Sequence, residues 1–321
     1  MPFLIILYSH LVMGPDRGAS LESSEISTHI EYLCLDSWAS ANPVAWRNGG
    51  VIVDEFLGVV NRDYRADVTR LNASLRLKDE GELAPHVPPH TFVGDINNMK
   101  QDDCVLVIGI NPLLWHDPRF EKANIELPMR CLKNFRITGD VSEFADWIDF
   151  QTEYFLREER NEKHFNKIGR LIGPRYFPST YKDGDVQQTL HRHVVEVDIV
   201  QYFSRKAQIN AKKLADLYHH DPALIANMNL IKTIIDKIKP KWIQVNGKTG
   251  WEAIHRILID GEMELINDAN DKGSEIKVGF TNLTGRKVPV LMHKFIGGMG
   301  GANSLVQREQ VLDSWDRWLA R

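Results

Sequence analysis

The chain predicts an α/β fold of three layers, with helices on both sides of a mostly parallel, four-stranded sheet. Three observations carry that expectation. Four short, mostly apolar runs, Cys104–Pro112, His193–Asp198, Lys241–Gly247 and Lys287–His293, each stop on a polar residue, glycine or proline. Stretches of helical period lie between the runs, and strands joined through helices pair in parallel by right-handed crossovers. With 321 residues, 43% of them hydrophobic, the chain can also bury a substantial core. We expect a mainly helical N-terminal elaboration over residues 1–100, packed on an α/β domain over 101–321 that carries a helical insert at about 113–190.

Taken in order, the opening Pro2–Tyr8 is apolar but has no basic flank and is too short to span a bilayer. A non-membrane, cytoplasmic protein is therefore expected. Helices are predicted near 21–40 and 51–72, where Val53, Phe56, Leu57, Val60, Val68 and Leu71 recur near helical spacing. Glu82–His90 holds three prolines and reads as a connecting loop. His86 and His90 are four apart there, but prolines prevent the helix that would pair them on a metal.

Cys104–Ile108 is too short for an independent helix and reads as a fully buried strand; Gly109 then lets the backbone turn, and Pro112 restricts Asn111. In the insert, Phe150, Tyr154, Phe155, Phe165, Ile168, Leu171 and Ile172 fit one helix face ending before Gly173-Pro174, with an exposed loop following to Asp185. A helix from about Asn210 should break at Asp221-Pro222, where Asp221 can cap a second helix. Leu224, Ile225, Met228, Ile231, Ile235 and Ile238 give that helix its apolar stripe, and Lys239-Pro240 ends it. Gly247 opens a helix through Trp251, Ile254 and Leu258. Residues 260–286 read as an irregular excursion or hairpin, and Leu305, Val311, Leu312, Trp315, Trp318 and Leu319 mark a terminal helix.

In a sheet of this type the carboxyl ends share one edge, where ligands bind. Asn111, Asp198, Gly247 and His293 should therefore converge on one crevice. Net charge of −4 gives no global pull toward nucleic acid, so phosphate contacts must be local. Basic residues cluster at Arg130/Lys133/Arg136, Lys163/Lys167/Arg170/Arg175 and Arg205/Lys206/Lys212/Lys213, an arrangement also expected of solvated helix faces. Cys34, Cys104 and Cys131 are scattered and cannot supply a four-cysteine metal site. Gly109-Ile-Asn-Pro112 lacks the glycine pattern and lysine of nucleotide-binding loops, so no cofactor is expected. By contrast, Gly297, Gly298, Gly300 and Gly301 surround Met299, and their main-chain N–H groups can hold phosphate while Met299 anchors the loop or wedges into a base stack.

Val107-Ile-Gly-Ile-Asn-Pro112, the passage into Asn246-Gly-Lys-Thr-Gly-Trp-Glu252, and His293 resemble, in order and strand context, motifs of the uracil-DNA glycosylase superfamily. The resemblance covers mainly 104–305. It implies that Asn111 orients the attacking water and that His293 hydrogen-bonds the departing base. It further implies that Ile110, Leu113 and Asp198 line the base site, and that Lys248, Lys294 and the Gly297–Gly301 loop contact DNA. Glycosidic cleavage passes through an oxocarbenium-like state, so positioning and leaving-group stabilisation suffice without a strong nucleophile.

Two departures from the family pattern suggest the substrate. Asp198 stands where uracil-reading members carry asparagine, and a carboxyl suits the amino edge of cytosine. Leu113 replaces a tyrosine that blocks 5-substituted bases. The expectation is a monomeric, monofunctional DNA glycosylase that excises a hydroxymethylated or glucosylated cytosine from single- or double-stranded phage DNA, as a defence. Trp115, Phe120 and Phe135 are candidates to stack on the flipped base. A uracil-repair glycosylase, a non-catalytic DNA-binding relative and a small-molecule enzyme on the same fold are the alternatives.

Overall fold

The computed structural model describes residues 53–115, 117–158, 162–206, 208–259, 263–266, 276–293 and 304–321. All four apolar runs form strands: β1 Val105–Gly109, β2 Val194–Asp198, β3 Trp242–Asn246 and β6 Val288–His293. They are mutually parallel, with β1 between β2 and β3, and β3 beside β6. The sheet is larger than the four strands expected. β4 Glu264–Leu265 and β5 Ile276–Thr281 add two antiparallel strands, giving the order β2-β1-β3-β6-β5-β4. A tight turn at Gly285, φ +76°, joins β5 to β6 and makes the antiparallel pairing possible.

The helices are α1 Val53–Val60, α2 Tyr64–Leu75, α3 Leu127–Thr138, α4 Ala145–Thr152, α5 Glu162–Tyr176, α6 Val186–His193, α7 Ala211–Leu217, α8 Pro222–Ile238, α9 Lys248–Leu258 and α10 Leu305–Leu319. A four-residue helix, Pro118–Glu121, and a π-helical turn, Lys122–Glu126, precede α3. Val105, Val107, Val194, Trp242, Leu291, Ile276 and Val278 pack with Ile168 and Leu171 of α5, Leu190 of α6 and Trp315 of α10. The alternate residues, Leu106, Ile108, Val195, Val197, Ile243 and Val245, are equally buried, so the opposite face is covered too. There α9 lies so close that a Cβ on Gly250 would come within 3.2 Å of Val245.

Several boundaries differ from the sequence reading. The helix expected near 51–72 is two helices, because Asp63 turns the chain and accepts the Ala66 N–H at 3.1 Å to cap α2. The long insert helix is likewise divided into α4, a 3-10 turn at Tyr154–Leu156 and α5, although its seven apolar residues do share one core cluster. Helix α5 runs through Gly173-Pro174 rather than stopping there. Proline late in a helix forfeits one bond, and here the last turn is fixed by Arg175 and Tyr176, both bonded to Asp316 of α10. The segment after it is not simply an exposed loop, since Phe177 stacks on His193 and is buried.

Asp221 caps α8 as expected, accepting from Ala223 and Leu224, and Lys239 ends it in the left-handed region. Ile225 falls off the buried stripe and is exposed. Ser304 and Gln307 close a reciprocal capping box at α10, whose Leu305 and Leu319 are exposed while Val311, Leu312 and Trp315 are buried. The N-terminal elements join the sheet directly. Val93 and Glu196 exchange two backbone hydrogen bonds of 2.9 Å, and Arg70 of α2 grips Asp221 at the start of α8. The helix expected near 21–40, and Cys34, lie outside the described residues. No helix among the described residues is long and apolar enough to cross a membrane.

Candidate functional site

Strand register draws the predicted residues into a row. Asp198 on β2 is paired with Gly109 on β1. The pairing of Ile108 with Val245 brings position 246 level with Gly109, and position 246 is paired with His293 on β6. By strand parity Asp198 and His293 face the α10 side, three strand spacings or about 14 Å apart at the backbone. Two residues beyond Gly109, at the same edge, stands Asn111.

Asn111 is held in one orientation. Its amide nitrogen donates to Ser204 Oγ at 2.8 Å, to the Pro112 carbonyl at 3.1 Å and to the Tyr202 carbonyl at 3.4 Å. Two backbone carbonyls at one end of the amide require nitrogen there, which fixes Oδ1 at the other end. That oxygen is buried and has no hydrogen-bond partner among the described residues, a state that costs about 1–3 kcal/mol unless something fills it. The frame is rigid because the segment after β2 continues beside the segment after β1. Ile199 and Val200 donate to the carbonyls of Gly109 and Ile110, and Ser204 donates to that of Pro112.

Asp198 is 4% exposed. Its carboxyl leans over Gly109 so closely that a Cβ there would meet Oδ1 at 2.1 Å, so glycine at the end of β1 makes room for it. Glu196, two residues earlier on the same face, and His90, from the proline-rich segment, complete a cluster whose nearest donor atoms lie within 4.8 Å of one another. Burial, and secondly the neighbouring Glu196, push the Asp198 carboxyl well above the usual carboxylate range. Burial raises Glu196 as well. Burial lowers His90, against a weaker upward pull from Asp198, which works against a positive charge on the imidazole 3.8 Å from Glu196. A cation is one way to satisfy such a group, and protons kept on the carboxyls are another.

At the other end of the row, His293 is 1% exposed and its Nε2 lies 3.1 Å from Nε2 of buried Gln244. The Gln244 amide and the His293 ring thus hold each other in place, with the tautomer of the ring setting which of them donates. The Gly247 N–H donates to the His293 carbonyl at 2.8 Å, tying the ends of β3 and β6 together.

The remaining predicted residues are distributed unevenly. Ile110 points to the other face, near Gly250 of α9, and so is not brought to the row. Leu113 bridges to Ser204 and is 38% exposed, and Trp115 is 41% exposed. Phe120 packs edge-on against Phe203, while Phe135 is committed to a contact with Phe144. Lys248 opens α9, with its side chain outside the described residues, as are Lys294, Gly297, Gly298, Met299, Gly300 and Gly301. Of the basic clusters, Arg130 pairs with Asp146, Lys206 with Glu80, and Arg175 with Glu309, Asp313 and Asp316. Burial drives the Cys104 thiol up to about 12, an inert core position.

Sequence reasoning missed His90, Glu196, Gln244, Tyr202 and Ser204. Glu196 and Gln244 did leave a signal, each being a polar residue inside a run otherwise suited to a strand buried on both faces. Compared with protein-family models and with curated proteins, the chain matches none.

Proposed function

We propose that the protein is a DNA glycosylase that hydrolyses the N-glycosidic bond of a 5-substituted cytosine. The observation that carries this reading is Asn111, an amide pinned through its nitrogen with a buried carbonyl oxygen free to accept from a water. Bond formation between that water and the anomeric carbon accompanies cleavage to the base nitrogen, which leaves with the bonding pair. The water's spare proton passes to solvent. Holding the water in line and stabilising the departing base are the two tasks; Asn111 would perform the first, and His293 would perform the second by exchanging its contact with Gln244 for one to the base.

Asp198 supports the cytosine assignment. A carboxyl that keeps its proton offers O–H to N3 and its carbonyl oxygen to the N4 amino group, the complement of cytosine, and donation to N3 also makes the base a better leaving group. Ionised, it would lose the donor. Leu113 and Trp115 expose apolar surface at the same edge, suited to a base turned out of its stack. Leu113, in place of an aromatic block, fits a substituent on carbon 5.

The test is release of free base from DNA carrying 5-hydroxymethylcytosine or its glucosylated form, read by liquid chromatography and by alkali-labile abasic sites. Asn111→Ala and His293→Ala are each expected to slow release about tenfold or more. Cleavage of uracil DNA with all modified DNAs left intact would overturn the substrate assignment. Activity that survives chelation fits carboxyls that keep their protons. Activity lost to chelation and restored by a divalent ion would assign His90, Glu196 and Asp198 to a metal instead.

A further inference from the structure

On the sheet face opposite the row, α7, α9 and the β4–β5 pair enclose a cleft of about 700 Å³ that the glycosylase reading does not use. Three cations line it, Lys212, Arg256 and Lys277, against one carboxylate, Glu252. None of the three cations makes an ion pair among the described residues. Lys277 instead rests its ammonium 4.8 Å from the centroid of the Trp251 ring, a weaker partner than an anion. His255 lies on the same wall, and burial, followed by the charges of Lys277 and Arg256, lowers its pKa from the ordinary histidine value. Trp251, Met263 and Leu265 supply an apolar side.

We infer that this cleft binds a nucleoside monophosphate unit, its phosphate held by Lys277, Arg256 and Lys212 and its base against Met263 and Leu265. Cationic and apolar side chains alternate around one cavity, Lys277 being paired with Leu265 across the strands and seated over Trp251, which suits a ligand that carries a phosphate beside a flat apolar ring. The unit comes either from a DNA strand or from the free nucleotide pool. Lys277 is paired with Met292, one residue from His293, so a strand engaged at the carboxyl edge has only a short way to travel to the cleft.

Titrating the full chain with deoxycytidine monophosphate, by calorimetry and tryptophan fluorescence, should show binding that unphosphorylated deoxycytidine does not. Lys277→Ala and Arg256→Ala should each weaken it about tenfold, the scale for losing a hydrogen bond to a charged group, with unchanged melting temperature. Trp251→Phe should remove the fluorescence change while leaving the calorimetric signal. Competition by an unmodified oligonucleotide identifies the strand as the source, and lack of competition identifies the free nucleotide. No binding of the monophosphate, or binding indifferent to both alanine variants, overturns the assignment. Because no base is excised in these titrations, failure here is distinct from failure of the glycosylase reading.

Discussion

Two aspartates of this protein are almost equally buried and yet opposite in character. Asp67 on α2 is 3% exposed and accepts from Arg62 at 2.7 and 3.0 Å and from the Tyr202 hydroxyl at 3.2 Å, with Arg70 2.7 Å away. Burial pushes its carboxyl up, but the bonds from Arg62 and Arg70 outweigh burial and hold it below its ordinary value. Asp198 has burial without such donors among the described residues, and a second carboxyl beside it. The first is a structural charge, fixed by partners that α2 carries or touches. The second is a group whose environment resists its charge, and such groups are where sites for chemistry or recognition are found.

The largest effect expected from this contrast is on stability. Asp67→Ala should destabilise the fold by about 3 kcal/mol, the low end for breaking a buried ion pair because Arg62 and Arg70 keep some solvent. Urea denaturation measures it, and a loss below about 1 kcal/mol would dissolve the distinction. Next is Gly109→Ala, which forces the Asp198 carboxyl aside. A cost of about 2 kcal/mol, typical of overpacking, should accompany loss of base discrimination.

Asp198→Asn should leave stability within about 1 kcal/mol of the parent, or raise it, because an unpaired buried acid is replaced by a neutral isostere. Its signature is in specificity, a shift of about tenfold or more from cytosine-type toward uracil-type bases in competitive excision. Smaller still, Ser204→Ala removes one of three acceptors from the Asn111 amide and should slow excision about threefold, within the range for one neutral hydrogen bond.

The pH dependence separates the two acids by sign. Asp67, depressed in the folded state, contributes stability that is present above the ordinary carboxylate value and lost as pH falls through its lowered one. Asp198 and Glu196, both raised, contribute stability present below their ordinary values and lost as pH rises through the raised ones. Urea midpoints across pH should therefore lose part of their acid-side fall in Asp67→Asn and part of their alkaline-side fall in Asp198→Asn. Excision of cytosine-type bases should decline over the same alkaline range.

Strand positions were legible in the sequence because a run buried on both faces has to be apolar, and because Gly109, Gly247 and Pro240 punctuate the runs. Asp221 and the Leu224–Ile238 stripe were legible for the same local reasons. The two antiparallel strands were legible only as the hairpin alternative for 260–286, since Glu264–Leu265 is too short for a pattern and the polar, glycine-punctuated residues around them obscure the period. Within the site, Asp198 and His293 could be placed because each ends a strand. His90 could not, because nothing near Pro88-Pro89 shows which distant residue that segment will lie against. Nor could the Ser204 and Tyr202 contacts that orient Asn111, which arise only when two loops continue the register of the strands before them.

The pairing of Val93 with Glu196 has a consequence for how the protein can be divided. At one margin of the sheet β4 is two residues long, which discourages further strand addition by brevity alone. At the other margin β2 is five residues long and fully buried, and the chain from Ala84 to Val93 runs along its outer side, bonding to Glu196 of the strand and to Gln201 and Phe203 just beyond it. A chain shortened to begin at residue 101 would bare that strand's unpaired backbone and the acid pair behind it. It should self-associate rather than fold as a separate unit, so the stretch ahead of β1 is as much a part of the sheet as the strands themselves.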